Sequence, residues 1–88
     1  MKRLLLTAAL LAATSTAFAS PECTKEPKDK WMTQDAMKKK IDEQGYKVKK
    51  FKVTGNCYEI YGWNKEGKKA EVYFNPVDGT IVKQEIGG

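Results

Sequence analysis

The 88-residue chain has no histidine, two cysteines, three prolines and, beyond Arg3, no arginine. Each shortage removes a class of chemistry. Without histidine there is no Ser-His-Asp or Cys-His nucleophile system and no His-ligated zinc, and two cysteines fall short of a four-thiolate site. The seven glycines are scattered along the chain, so no phosphate-cradling loop is present. Asp42-Glu43 sits within a helical pattern, and Asn75-Pro76-Val77-Asp78-Gly79 lacks the carboxylate spacing of a calcium loop. A chain this short has little room for a buried, ligand-sized cleft. An enzyme is not expected, and neither a cofactor nor a metal is called for.

The start of the chain carries a targeting pattern. Met1-Lys2-Arg3 is positive, Leu4 to Ala13 is a short apolar run, and Ala17-Phe18-Ala19 forms an A-x-A cleavage site before Ser20. The apolar run is too short to span a bilayer, so residues 1–19 are expected to be a signal peptide removed after Ala19, with the protein working in the periplasm. The remaining 69 residues carry 14 Lys and 11 acidic residues, a net charge of +3. Residues 20–30, with Pro21 and Pro27, read as an extended tail. Residues 31–88 read as one domain.

That domain opens with a helix over Thr33 to Gln44. Thr33 can cap it, Asp35 favours the dipole of its first turn, Met37 and Ile41 share one face, and Gly45 supplies the left-handed residue after it. Trp31 and Met32 lie just ahead, placed to staple its start. Strand patterns follow at Tyr46 to Thr54, Cys57 to Trp63 and Lys68 to Asn75, with a short last one at Thr80 to Ile86. In the first of these, the apolar parity switches across Lys49-Lys50, which a β-bulge would correct. Short turns make neighbouring strands antiparallel. The expected fold is α+β, one N-terminal helix packed on one face of a three- to four-stranded antiparallel sheet.

Alternation assigns Ile60, Ala70, Val72 and Phe74 to the helix side, under Met37 and Ile41. Tyr61, Trp63 and Tyr73 then fall on the open side among Glu and Lys residues. Two readings of that cluster stand: cross-strand ring pairing in a domain too small to hide every aromatic, and a docking surface, since Tyr and Trp are favoured at interfaces. In an exported chain the two cysteines suggest one bridge, Cys23–Cys57, tying the tail to the second strand. The alternative, a redox dithiol, lacks C-x-x-C spacing. The lysines of the helix (Lys38, Lys39, Lys40) and first strand (Lys47, Lys49, Lys50, Lys52) read as a solvated, non-aggregating surface or as attraction to an anionic partner. Nucleic acid is not expected, because arginine, the usual bidentate reader of guanine, is missing from the exported part.

The stretch from Trp31 to Lys83 resembles a PepSY-type domain of the small, single-domain kind found in exported bacterial proteins. The resemblance rests on Trp31-Met32-Thr33 at the helix entry, Gly45-Tyr46-Lys47-Val48 at the helix-to-strand junction, Gly55-Asn56-Cys57-Tyr58-Glu59-Ile60-Tyr61, and Asn75-Pro76-Val77-Asp78-Gly79. The last usually looks like Asp-Pro-x-Thr-Gly, so Asn75 and Asp78 depart from it. PepSY domains occur in propeptides of thermolysin-like proteases and in envelope proteins. The resemblance implies an α+β fold, an envelope location and a non-enzymatic role, and it transfers no catalytic residue. The expected function is a periplasmic module that docks a protein or peptide and restrains a protease. Contact would run through Tyr61, Trp63 and Tyr73 with Lys49 and Lys52 steering, or by strand addition at an exposed edge. The alternative is peripheral association with anionic groups of the envelope. A monomer is expected.

Overall fold

The computed structural model describes residues 20–87. The segment expected to be a signal peptide lies outside the described residues. Helix α1, Gln34–Glu43, is followed by four strands, β1 (Lys47–Thr54), β2 (Cys57–Trp63), β3 (Lys69–Phe74) and β4 (Ile81–Gly87). They form one antiparallel sheet in the order β1-β2-β3-β4. The fourth strand is therefore a full member. The helix precedes the sheet but does not open the chain: a tail and a short 3-10 turn at Lys28–Lys30 come first. That turn corrects the reading of 20–30 as wholly extended. Proline bars helix at and before itself but not after it, and the Pro27 carbonyl accepts the Lys30 N–H at 2.9 Å.

Local chemistry fixes the ends of α1. The Thr33 hydroxyl accepts the Ala36 N–H at 3.1 Å, satisfying one of the donors a helix start leaves over. At the other end Gly45 takes φ 95°, its N–H reaching the Asp42 carbonyl at 2.9 Å and that of Tyr46 the Ile41 carbonyl at 3.4 Å. This double closure turns the chain directly into β1.

The helix lays Met37 and Ile41 on Tyr58, Ile60, Ala70, Val72 and Phe74, all buried. Trp31, Met32, Tyr46 and Phe51 pack around the rim. Trp31 meets the Tyr58 ring edge-on at 5.4 Å, and the Tyr58 hydroxyl donates to the Met32 carbonyl at 2.8 Å. The helix entry is thereby locked to β2. The helix-side assignment of Ile60, Ala70, Val72 and Phe74 holds. A ten-residue helix covers only the middle of the sheet, however, and every residue of β4 remains exposed.

The bulge expected in β1 is present. The register slips between Val48 and Lys50, leaving Lys49 without a partner across the ladder. A second irregularity, between Tyr73 and Phe74, leaves Val82 over on β4. At the same end of the sheet as this second irregularity, and far from the β1 bulge, Cys23 and Cys57 are joined in a disulfide, their Cα atoms 5.2 Å apart. Asn56 completes the clasp: its side chain accepts the Cys23 N–H at 2.8 Å and donates to the Thr24 carbonyl at 2.7 Å. Asn56, in the turn between β1 and β2, thus also binds the tail.

Candidate functional site

The uncovered face of the sheet carries a groove of about 440 Å³ at the end where β2 stops and β3 begins. Tyr61, Gly62 and Trp63 of β2 line it, with Lys69 and Glu71 of β3 and Glu85 and Gly87 of β4. Lys49 reaches it from the β1 bulge. Alternation explains the membership: Tyr61 and Trp63 stand on the same side of β2, opposite Glu71 and Lys69 in the register. Both aromatics are solvent-accessible, Tyr61 at 38% and Trp63 at 37%.

Of the five residues expected to bind, Tyr61, Trp63 and Lys49 line the groove. Lys52 and Tyr73 do not; they stand beside it on the same face. The Lys52 ammonium lies over the Tyr61 ring at 5.4 Å and 4.0 Å from Glu59. Tyr73 is half-buried, its hydroxyl donating to Glu71 at 3.1 Å. These two brace the groove wall rather than form its surface.

Glu59 is what sequence reasoning missed. It lies on the open face, where a carboxylate is expected in water, yet it is 1% exposed. Burial of a carboxylate demands compensation. The Thr54 hydroxyl donates to its Oε1 at 2.7 Å, and Lys52 approaches the same oxygen. Oε2 has no heavy-atom donor among the described residues. Hydrogen bonding between Glu59 and Glu71 is the leading influence holding the Glu71 carboxyl below its ordinary range, assisted by Tyr61 and Tyr73. The cluster acts back on the phenols. Hydrogen bonding to Glu71 is the first cause pushing the Tyr61 hydroxyl up to about 12. Burial, followed by the bond to Glu71, raises that of Tyr73. The only sequence signal for this cluster was an acid between two tyrosines in an otherwise core-like strand.

Gly62 is the second residue missed. A Cβ there would collide with the Lys47 carbonyl oxygen and approach the Lys47 carbonyl carbon at 3.0 Å and the Lys49 nitrogen at 3.1 Å. The β1 bulge crosses so closely over β2 that no side chain fits. A glycine inside a strand was the available clue.

The arrangement offers aromatic faces, two ammonium groups and two carboxylates in a shallow opening. Among the described residues no cluster of three or more potential metal ligands exists, and no helix is long and apolar enough to cross a membrane. No curated protein and no solved structure shows significant similarity to the chain. The family model described as "Peptidase propeptide and YPEB domain" does match, over residues 3–85. The chain therefore belongs to the PepSY family, whose domains are generally propeptide or protease-inhibitor-like modules and typically not catalysts.

Proposed function

We propose that this protein is an exported binding module that docks an extended segment of a protein or peptide partner in the periplasm through the open sheet face, and that a protease is among the partners it restrains. The reading takes the chain as cleaved after Ala19, with the tail kept and tied down by Cys23–Cys57; a disulfide fits an oxidising compartment. The observation that carries it is the groove beside Trp63, a concave opening of about 440 Å³ on the side of the sheet opposite the helix. Trp63 and Tyr61 would supply apolar contact with little loss of side-chain freedom, and Lys49 and Lys69 facing Glu71 and Glu85 would orient the partner's charges. The disulfide and the Asn56 clasp occupy the far end of the same face, so the tail does not fill the groove.

The test is crosslinking in the periplasm through a photoreactive side chain at position 63, followed by mass spectrometry and by activity assays of any protease recovered. The expected result is a small, reproducible set of adducts that excess unlabelled wild-type protein competes away and excess Trp63→Ala does not. The same adducts from a probe at Lys25, on the far end, would refute the groove as the docking site. A second reading rests on the exposed lysines of β1, namely Lys47, Lys49, Lys50 and Lys52, as a contact with anionic envelope groups. Its signature would be binding to phosphate-rich vesicles that collapses as salt rises.

A further inference from the structure

We infer that β4 is a self-complementary edge that pairs antiparallel with β4 of a second copy of this chain, joining two four-stranded sheets into one of eight strands. β4 ends the sheet, with no strand beyond it among the described residues. All seven of its residues are exposed, including Ile81, Val82 and Ile86 at 39–41%. Such an edge presents a row of backbone donors and acceptors that invites another strand.

What commits the edge to a second copy is its own sequence. Turned about Gln84 and laid antiparallel on itself, the strand matches over Val82–Ile86, with Ile81 falling opposite Gly87 outside the match. Lys83 falls opposite Glu85 of the second copy, and Glu85 opposite its Lys83, giving two ion pairs. Val82 falls opposite Ile86 of the second copy, and the reverse, giving two apolar pairs; Gln84 meets Gln84. The two kinds of pair lie on different faces. Lys83 and Glu85 register with Tyr73 and Glu71 on the open side, whereas Gln84 and Ile86 register with Val72 and Ala70 on the helix side. Within one copy Lys83 already lies 3.9 Å from Glu85, so pairing would convert a contact along the strand into contacts across strands. Opposed charges and opposed β-branched residues are the pairs that stabilise antiparallel ladders.

The other edge behaves differently. β1 carries Lys47, Lys49, Lys50 and Lys52 and is broken by the bulge at Lys49. Paired with itself it would set lysine against lysine, a means of keeping an edge single. The chain therefore has one guarded edge and one matched edge, so assembly stops at two copies instead of growing into a fibre. The interface is small, so the dimer is in equilibrium with the monomer expected from the sequence, which prevails on dilution.

The test is sedimentation velocity on the purified protein from about 10 μM to about 1 mM, the range in which a small interface dissociates. Wild type should shift from monomer to dimer and no further. Lys83→Glu alone, or Glu85→Lys alone, places like charges opposite one another twice per dimer and should weaken association by about tenfold. Mixing those two variants should restore it as a heterodimer, and Lys83→Glu with Glu85→Lys in one chain should restore the homodimer. Ile86→Lys, at an exposed apolar position, should weaken association without touching the ion pairs. Circular dichroism checks that each variant is folded. A wild type that stays monomeric throughout, growth beyond two copies, or charge variants that assemble equally well alone and mixed would each overturn the inference.

Discussion

Reduction of the Cys23–Cys57 bridge should remove a large part of this protein's stability. The bridged residues are 34 apart in sequence, and closing a loop of that length restricts the unfolded chain by about 4 kcal/mol at 25 °C on the chain-entropy account. The described residues would have a total stability of only about 3–10 kcal/mol. Their unfolding entropy is on the order of 0.14 kcal/mol/K near 60 °C, so the loss converts to a fall in Tm of more than about 20 °C. The Asn56 clasp does not replace the bridge, because its hydrogen bonds to Cys23 and Thr24 exist only once the tail is in place. The assay is thermal and urea unfolding followed by circular dichroism, on oxidised protein, on protein held in reductant, and on the Cys23→Ser, Cys57→Ser double variant. Both bridge-free states should melt at the same lowered temperature. A reduced protein that melts within about 5 °C of the oxidised one would refute the reasoning and place the stability in the core alone.

Three further outcomes are expected. Gly62→Ala should cost about 3 kcal/mol, the upper end for over-packing, since the added methyl meets the Lys47 backbone rather than a side chain able to move; denaturant unfolding at unchanged m reads it. Glu59→Gln should match or exceed wild-type stability, because the amide keeps an acceptor for Thr54 and removes a buried carboxylate whose second oxygen has no partner, whereas Glu59→Ala should lose about 1–3 kcal/mol. All four tyrosines are raised above their ordinary value, Tyr46 and Tyr58 chiefly by burial, so the unfolded chain sheds their protons first and stability falls as pH climbs from 10 towards 12. Tyrosinate absorbance should then rise together with loss of the folded signal, and Tyr61→Phe should reduce that dependence; absorbance rising near pH 10 in a folded protein would contradict it.

The elements that could be read from the sequence were those set by local chemistry. The span of β2 was legible from Cys57 to Trp63 because turn residues bound it on both sides. Thr33, Gly45 and the Met37–Ile41 pair located the helix for the same reason. The β1 bulge followed from parity alone, since one apolar face had to be restored. Features that depend on what lies across the sheet were not legible. Nothing in Cys57-Tyr58-Glu59 says that the acid will be roofed over, because its burial comes from β1 and β3 neighbours distant in sequence. The separation of Trp63 from Tyr73 is likewise a matter of position along the strands: both face the open side, but only Trp63 reaches the groove.

The clasp at the β1–β2 hairpin gives the domain a front and a back. Ser20 packs beside Gly55, where its hydroxyl lies 2.7 Å from the position a Cβ would take. Trp63 stands at the other end of β2, roughly 20 Å away along the strand. Whatever is fused or tethered ahead of Ser20 departs from the rear, so a tag, bead or surface joined there holds the molecule by its heel and leaves the aromatic mouth pointing outward.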